Sequence, residues 1–218
     1  MKLTTTPTPP ANPWIRPGDA VPDPAPARIS EVTTAPPLPR LQPQAGVDPP
    51  DTLLPQFEIP SNSPTTLWWV APHGGAGEST LAQLLPDSAA ADHRWPIRPE
   101  GEDRPYVVLV ARTHHSGLTT AQNAIREWAS GSIPIELAGL VLVADAPGRL
   151  PKPLRALADL VAGGVSEVWR VPWIDAWRVG DVTLDRAPGA VRKLINHFDH
   201  SRPPAPRHSS SQRRRDIA

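Results

Sequence analysis

Gly74, Gly75 and Gly77, the carboxylate of Glu78 and the hydroxyls of Ser79 and Thr80 fall in one run, His73–Thr80, between an apolar segment, Leu67–Ala71, and a helix-forming one from Leu81 onward. Glycines in such a place let backbone N–H groups close around an anion, and the start of the following helix adds a favourable dipole. The general phosphate-cradling pattern G-x-x-x-x-G-K-[ST] carries a lysine at the position filled here by Glu78. A charge pair at about 4 Å contributes about 4 kcal/mol at an effective dielectric near 20, and Lys-to-Glu reverses the sign of that contribution. A micromolar site has only about −8 kcal/mol in all. The expectation is a loop whose shape is kept and whose chemistry is lost. Glu78 would then act as an internal phosphate mimic, facing the phosphate position and accepting the amides of Gly75–Thr80.

Other candidates are fewer. His93 and the pair His114-His115 invite a metal or general-base reading, but no partner has ligand-like spacing, so a polar loop after the second strand is expected and no metal site is assigned. Asp145 and Asp175 follow apolar runs and suit the capping of the next helix. Trp173, Trp177 and Arg178 form an aromatic-plus-arginine cluster of the kind that anchors protein interfaces, which makes them interaction candidates, with ordinary packing over the sheet edge as the alternative. Trp68, Trp69 and Trp169 read as core or layer-packing residues.

The elements that must position these residues are legible in the periodicity. Four apolar runs, Leu67–Ala71, Tyr106–Ala111, Leu137–Ala144 and Glu167–Val171, are continuous rather than alternating, as strands covered on both faces are. Leu118, Ala121, Ile125 and Trp128 share a helical face, as do Leu154, Leu157, Ala158 and Val161, and again Val191, Leu194, Ile195 and Phe198. Strand and helix alternate, so the class is a three-layer α/β fold with a mostly parallel central sheet. Ligands of such sheets bind beyond the carboxyl ends of the strands, where His73–Thr80 lies.

Composition sets the boundaries. Of the 31 prolines of this 218-residue chain, 17 fall in residues 1–66, which are expected to be a disordered Pro-rich arm. Its one apolar spot, Asp51–Pro60 with Leu53, Leu54 and Phe57, could dock on the domain or on a partner. Residues 67–200 form the α/β domain, and 201–218 are expected to be a disordered basic tail. The formal charge is zero overall, but the tail carries Arg202, Arg207 and the run Arg213, Arg214 and Arg215, which gives at most weak, salt-sensitive contact with nucleic acid. With no cysteine, thiolate chemistry and disulfides are excluded. No segment is apolar for the ~18 residues that a membrane span needs, so a cytoplasmic protein is expected.

The motif His73-Gly-Gly-Ala-Gly-Glu-Ser-Thr80 resembles the deviant Walker A motif, K-G-G-x-G-K-[ST]-[ST], of the ParA/MinD family of P-loop ATPases. Tyr106–Thr113 is similar to the family's strand leading to small polar residues, Leu137–Val143 to its G-x-V-x-N strand, and Arg170–Asp175 to its I-P-x-[DS] turn beside the adenine. The resemblance implies a P-loop-like fold over 67–200. It also implies that His73 and Glu78 replace the two lysines, that Val143 replaces the adenine-contacting asparagine, and that Pro86–Pro105, a polar stretch, replaces a strand, a magnesium aspartate and a switch. The function so implied is a non-hydrolytic scaffold or adaptor with no catalytic residue, no cofactor and an unknown protein partner. The alternative is an active ATP- and magnesium-dependent switch in which His73, Arg112 or a partner's arginine replaces the lysine, and His73, Gly74, Gly75, Ala76, Gly77, Glu78, Ser79 and Thr80 hold the nucleotide.

Overall fold

A computed structural model of the chain describes residues 41–180 and 182–204. Seven strands and five helices follow in the order β1 (Gln56–Glu58), β2 (Leu67–Val70), α1 (Glu78–Leu84), β3 (Ser88–Ala90), β4 (Trp95–Ile97), β5 (Tyr106–Arg112), α2 (His115–Ala129), β6 (Glu136–Val143), α3 (Lys152–Ala162), β7 (Val168–Val171), α4 (Asp175–Arg178) and α5 (Gly189–Ser201). Five strands make one sheet in the order β3-β2-β5-β6-β7, every neighbouring pair parallel. β1 and β4 form a separate parallel pair.

Alternation along each strand feeds two cores, one on either side of the sheet, which is why the apolar runs are unbroken. Trp68 and Val70 of β2 and Val107, Leu109 and Ala111 of β5 pack with Leu118, Ala121 and Ile125 of α2 and Ala158 and Val161 of α3. Leu67 and Trp69, with Val108 and Val110, pack with Leu81 and Leu84 of α1 and Val191, Leu194, Ile195 and Phe198 of α5. The Trp69 ring meets Phe198 edge-on at 5.7 Å. Burial of each such side chain contributes about 1.5–3 kcal/mol. The fold is therefore the three-layer α/β arrangement expected, and its four long strands coincide with the four apolar runs. Gly139 explains one detail: a Cβ there would lie 2.8 Å from the Glu167 carbonyl oxygen, so β6 can approach the start of β7 only without a side chain.

Three boundaries differ from the sequence reading. Residues 41–66 are not a free arm but a strap along α2. The Gln44 N–H donates to the Ala129 carbonyl (2.8 Å), Arg126 donates to the Asp48 carbonyl (3.3 Å), and the Leu54 N–H donates to the buried Glu127 carboxylate (3.1 Å). Phe57 then packs edge-on against Trp68 at 5.2 Å and Ile59 is fully buried. The apolar spot at Asp51–Pro60 thus docks on the domain. The rest of the arm, residues 1–40, lies outside the described residues.

Second, Pro86–Pro105 is not strandless. β3 extends the main sheet beside β2, and β4 pairs with the strap. β3 is three residues of small side chains, which leaves no apolar signature, and Trp95, wholly buried, is the one strong apolar mark in β4.

Third, Arg202 is not part of a solvated tail. Its guanidinium donates to Thr66 Oγ1 (3.2 Å), to the Pro86 carbonyl and to Asp199 (2.9 Å), with Asp87 at 3.9 Å. It fastens the end of α5 to the turn before β3, so it is unavailable to nucleic acid. Arg207 and Arg213–Arg215 lie outside the described residues. We expect Arg202→Ala to lower unfolding free energy by about 0.5–1.5 kcal/mol, since it removes hydrogen bonds of which the one to Thr66 is partly buried. Urea unfolding checks this, and an unchanged midpoint would return Arg202 to the tail.

Candidate functional site

β2 ends at Val70, and the next residue, Ala71, is fully buried, so its backbone N–H and carbonyl need partners where the strand stops. Two side chains supply them. Glu78 Oε2 accepts the Ala71 N–H at 2.9 Å, and His93 Nδ1 lies 2.9 Å from the Ala71 carbonyl oxygen. A carbonyl only accepts, so Nδ1 carries the proton. The same nitrogen lies 3.2 Å from Glu78 Oε1, which closes a ring of three groups. Burial pushes the Glu78 carboxyl above its ordinary value, and the Ala71 N–H and the nearby His93 oppose that rise. Asp92 and His93 take left-handed conformations, φ 51° and 61°, an uncommon pair outside glycine. That turn returns the imidazole toward β2.

Glu78 is therefore not the phosphate mimic the sequence suggests. It is 5% exposed and bonds beneath the loop, to Ala71, rather than to the amides of Gly75–Thr80. Above it the loop keeps its curvature through Gly75 (φ 71°) and Gly77 (φ 106°), while Ala76 is buried against Leu81 and its neighbours on the α1 side of the sheet. Gly74 and Ser79 are exposed and Thr80 is half-buried.

His73 is likewise bonded within the loop and to β5. Its Nδ1 lies 3.0 Å from the Gly74 carbonyl and so donates, while Nε2 accepts the Arg112 N–H at 3.2 Å. Both nitrogens are committed in the neutral form. Burial lowers its pKa from 6.5, and His114, His93 and Arg112 lower it further against the opposing Gly74 carbonyl. His114 lies ring to ring with it at 5.2 Å and caps α2, its Nδ1 accepting the Gly117 N–H at 2.9 Å. The pair His114-His115 is thus a helix start rather than a free loop. Gly117 permits this packing, since a Cβ would come within 2.6 Å of the Arg112 carbonyl and 2.8 Å of His73 Nε2.

Arg112, the last residue of β5, crosses from the loop to β6. Its Nε donates to the Gly75 carbonyl (2.9 Å) and Nη1 to the Ala144 carbonyl (2.7 Å). Burial lowers its pKa, Asp145 opposes and Arg178 adds to the lowering.

These groups surround a cavity of about 480 Å³ beyond the carboxyl ends of the strands, lined by Gly75–Leu81, Asp92, His93, Arg112, Val143, Ala144 and Pro172–Ile174 with Trp177 and Arg178. Its size suits a small ligand or a peptide segment. The surface assigned to Trp173, Trp177 and Arg178 is one wall of this cavity, which linear spacing could not show. Trp173 Nε1 donates to Asp175 (2.8 Å) and Arg178 lies 5.2 Å over the Trp173 ring. Neither aspartate caps its helix by a side chain: Asp175 holds Trp173, and the Asp145 N–H donates to Thr113 Oγ1 (3.2 Å). Among the described residues no cluster of three or more histidine, aspartate or glutamate side chains converges as for a metal, and no helix is long and apolar enough to cross a membrane.

Residues 65–195 match a family of unknown function, DUF6668. The match spans more than half of the chain, from just before β2 into α5, so the chain belongs to this family. No curated protein and no solved structure matches it.

The His73 contacts set a pH dependence. The folded state holds the ring neutral, so below about pH 6.5 the unfolded chain takes up a proton that the folded chain resists, and stability falls as pH falls. In His73→Gln that component is absent. Melting midpoints at pH 7.5 and 5.5 should therefore fall more in the parent than in the variant, and equal falls would contradict the assignment.

Proposed function

We propose that this DUF6668 domain is a ParA/MinD-like P-loop domain that does not hydrolyse nucleotide and works as a cytoplasmic scaffold or adaptor, in a setting such as mobile-element maintenance, conjugation or secretion. The observation that carries the reading is the place of Glu78. The position that would neutralise phosphate is spent on the buried backbone of Ala71 and on His93. A magnesium-bound triphosphate does not fit this floor. Each phosphate charge held near 4 Å from the Glu78 carboxylate would be opposed by about 4 kcal/mol at an effective dielectric of about 20, offset only by the charge of the magnesium itself. No lysine lines the cavity, and Asp92 is the one carboxylate there besides Glu78. The glycine loop keeps its form because it packs Ala76 into the core and joins β2 to α1.

A second reading, nucleotide binding by a non-standard loop, is favoured by one feature. Arg112 and Arg178 with Trp173 and Trp177 give the cavity cations and flat apolar surfaces.

Thermal melting of the full chain with millimolar Mg-ATP, Mg-GTP or ADP separates the two. A ligand bound only by the folded state at about 100 times its Kd adds about 2.7 kcal/mol, a rise of several degrees for a domain of this size. We expect no rise and no phosphate release. A rise of several degrees would put the second reading first.

A further inference from the structure

Arg112 is a half-buried charge at the cavity with donors to spare. Two of its five N–H donors are used, on the Gly75 and Ala144 carbonyls. The other three have no acceptor among the described residues, and no carboxylate there lies within ion-pair distance. Asp145 acts on it only from farther off, and Arg178 repels it. A half-buried guanidinium facing a cavity, with a second guanidinium on that cavity's wall, is an arrangement completed by an anion, which bidentate geometry favours as a planar carboxylate.

The rest of the cavity limits what that anion can be. Glu78 and Asp92 line it as well, so a polyanion meets repulsion that a single carboxylate, bound at Arg112, largely escapes. The aromatic part of the lining is held in place: Trp173 is fixed by Asp175 and Arg178, and Trp177 packs partly on the core.

On the adaptor reading, we infer that the cavity is a receptor for an acidic peptide segment of a partner protein. One aspartate or glutamate side chain of the partner bonds to the free edge of Arg112, and a neighbouring apolar or aromatic side chain lies against Trp173 and Trp177. The shape inherited around the glycine loop then receives a partner's carboxylate instead of phosphate.

The test follows the Arg112 side-chain N–H signals of the ¹⁵N-labelled full chain by NMR during titration with acetyl-Phe-Glu-Leu-amide, its Gln counterpart, inorganic phosphate and Mg-ATP. We expect the Glu peptide to shift Arg112 and to bind at least about tenfold more tightly than the Gln peptide or phosphate. Arg112→Gln, checked for an unchanged melting midpoint, should abolish the preference for Glu. Arg178→Ala, which leaves the Arg112 anchor in place, should weaken the Glu peptide several-fold. An Arg112 signal unmoved by millimolar Glu peptide, or equal affinity for the Gln peptide or for phosphate, overturns the inference and leaves the adaptor reading standing. Tighter binding of Mg-ATP than of the Glu peptide overturns both.

Discussion

The end of β2 is the constraint around which the site is arranged. A strand that stops in a dry interior leaves its next peptide unit without ladder partners, and an unpaired buried amide or carbonyl costs about 1–3 kcal/mol. Here the N–H of Ala71 goes to Glu78 and its carbonyl to His93. One residue comes from the first turn of α1 and the other from the turn between β3 and β4. The three-way contact therefore joins the glycine loop, the main sheet and the segment leading to the strap. Its chemistry fixes the character of the loop: a carboxylate used as a structural acceptor cannot also serve as a cation for phosphate.

A second set of contacts holds the upper side of the cavity. Arg112 links the Gly75 and Ala144 carbonyls, and its own N–H is held by His73, whose neutral form rests against His114 and the cap of α2. Loop, β5, β6 and α2 are thus connected through one guanidinium and two imidazoles. The two sets of contacts play different parts. Ala71 and Glu78 are buried with their bonds made, His93 closing the ring from the exposed side, whereas the Arg112 contacts leave donors over. Completed groups support a fold, and incomplete ones invite a ligand.

Much of this architecture is legible in the residue pattern, and the reasons for the exceptions are physical. β2, β5 and β6 declare themselves because both faces are covered along nearly their whole length, and the edge strand β7 by its valines and Trp169, although Arg170 in it is exposed. α2, α3 and α5 declare themselves by one apolar face. β1, β3 and β4 escape notice because each has three residues, too few for a period, and Ser88–Ala90 is small enough to look like loop. Of the strap, only the apolar stretch with Phe57 is legible, whereas residues 41–50 escape because they attach through backbone groups, the Gln44 N–H and the Asp48 carbonyl among them, which composition does not reveal. The glycine loop is visible as a loop, yet the direction of Glu78 depends on Ala71 before it and on His93, which lies beyond α1 and β3. Trp173 and Trp177 stand out by type, and only the fold brings them into one cavity with Arg112.

The most direct test of the central interaction is amide hydrogen exchange at Ala71, resolved residue by residue in the full chain at neutral pH. With its N–H bonded to a buried Glu78 carboxylate, Ala71 should exchange only in the larger openings that expose the interior of β2, at rates like those of Trp69 and Val70. Exchange as fast as that of the exposed Gly74 would mean that Glu78 points away from Ala71 toward the loop, and would contradict its role as the structural acceptor that closes the end of β2.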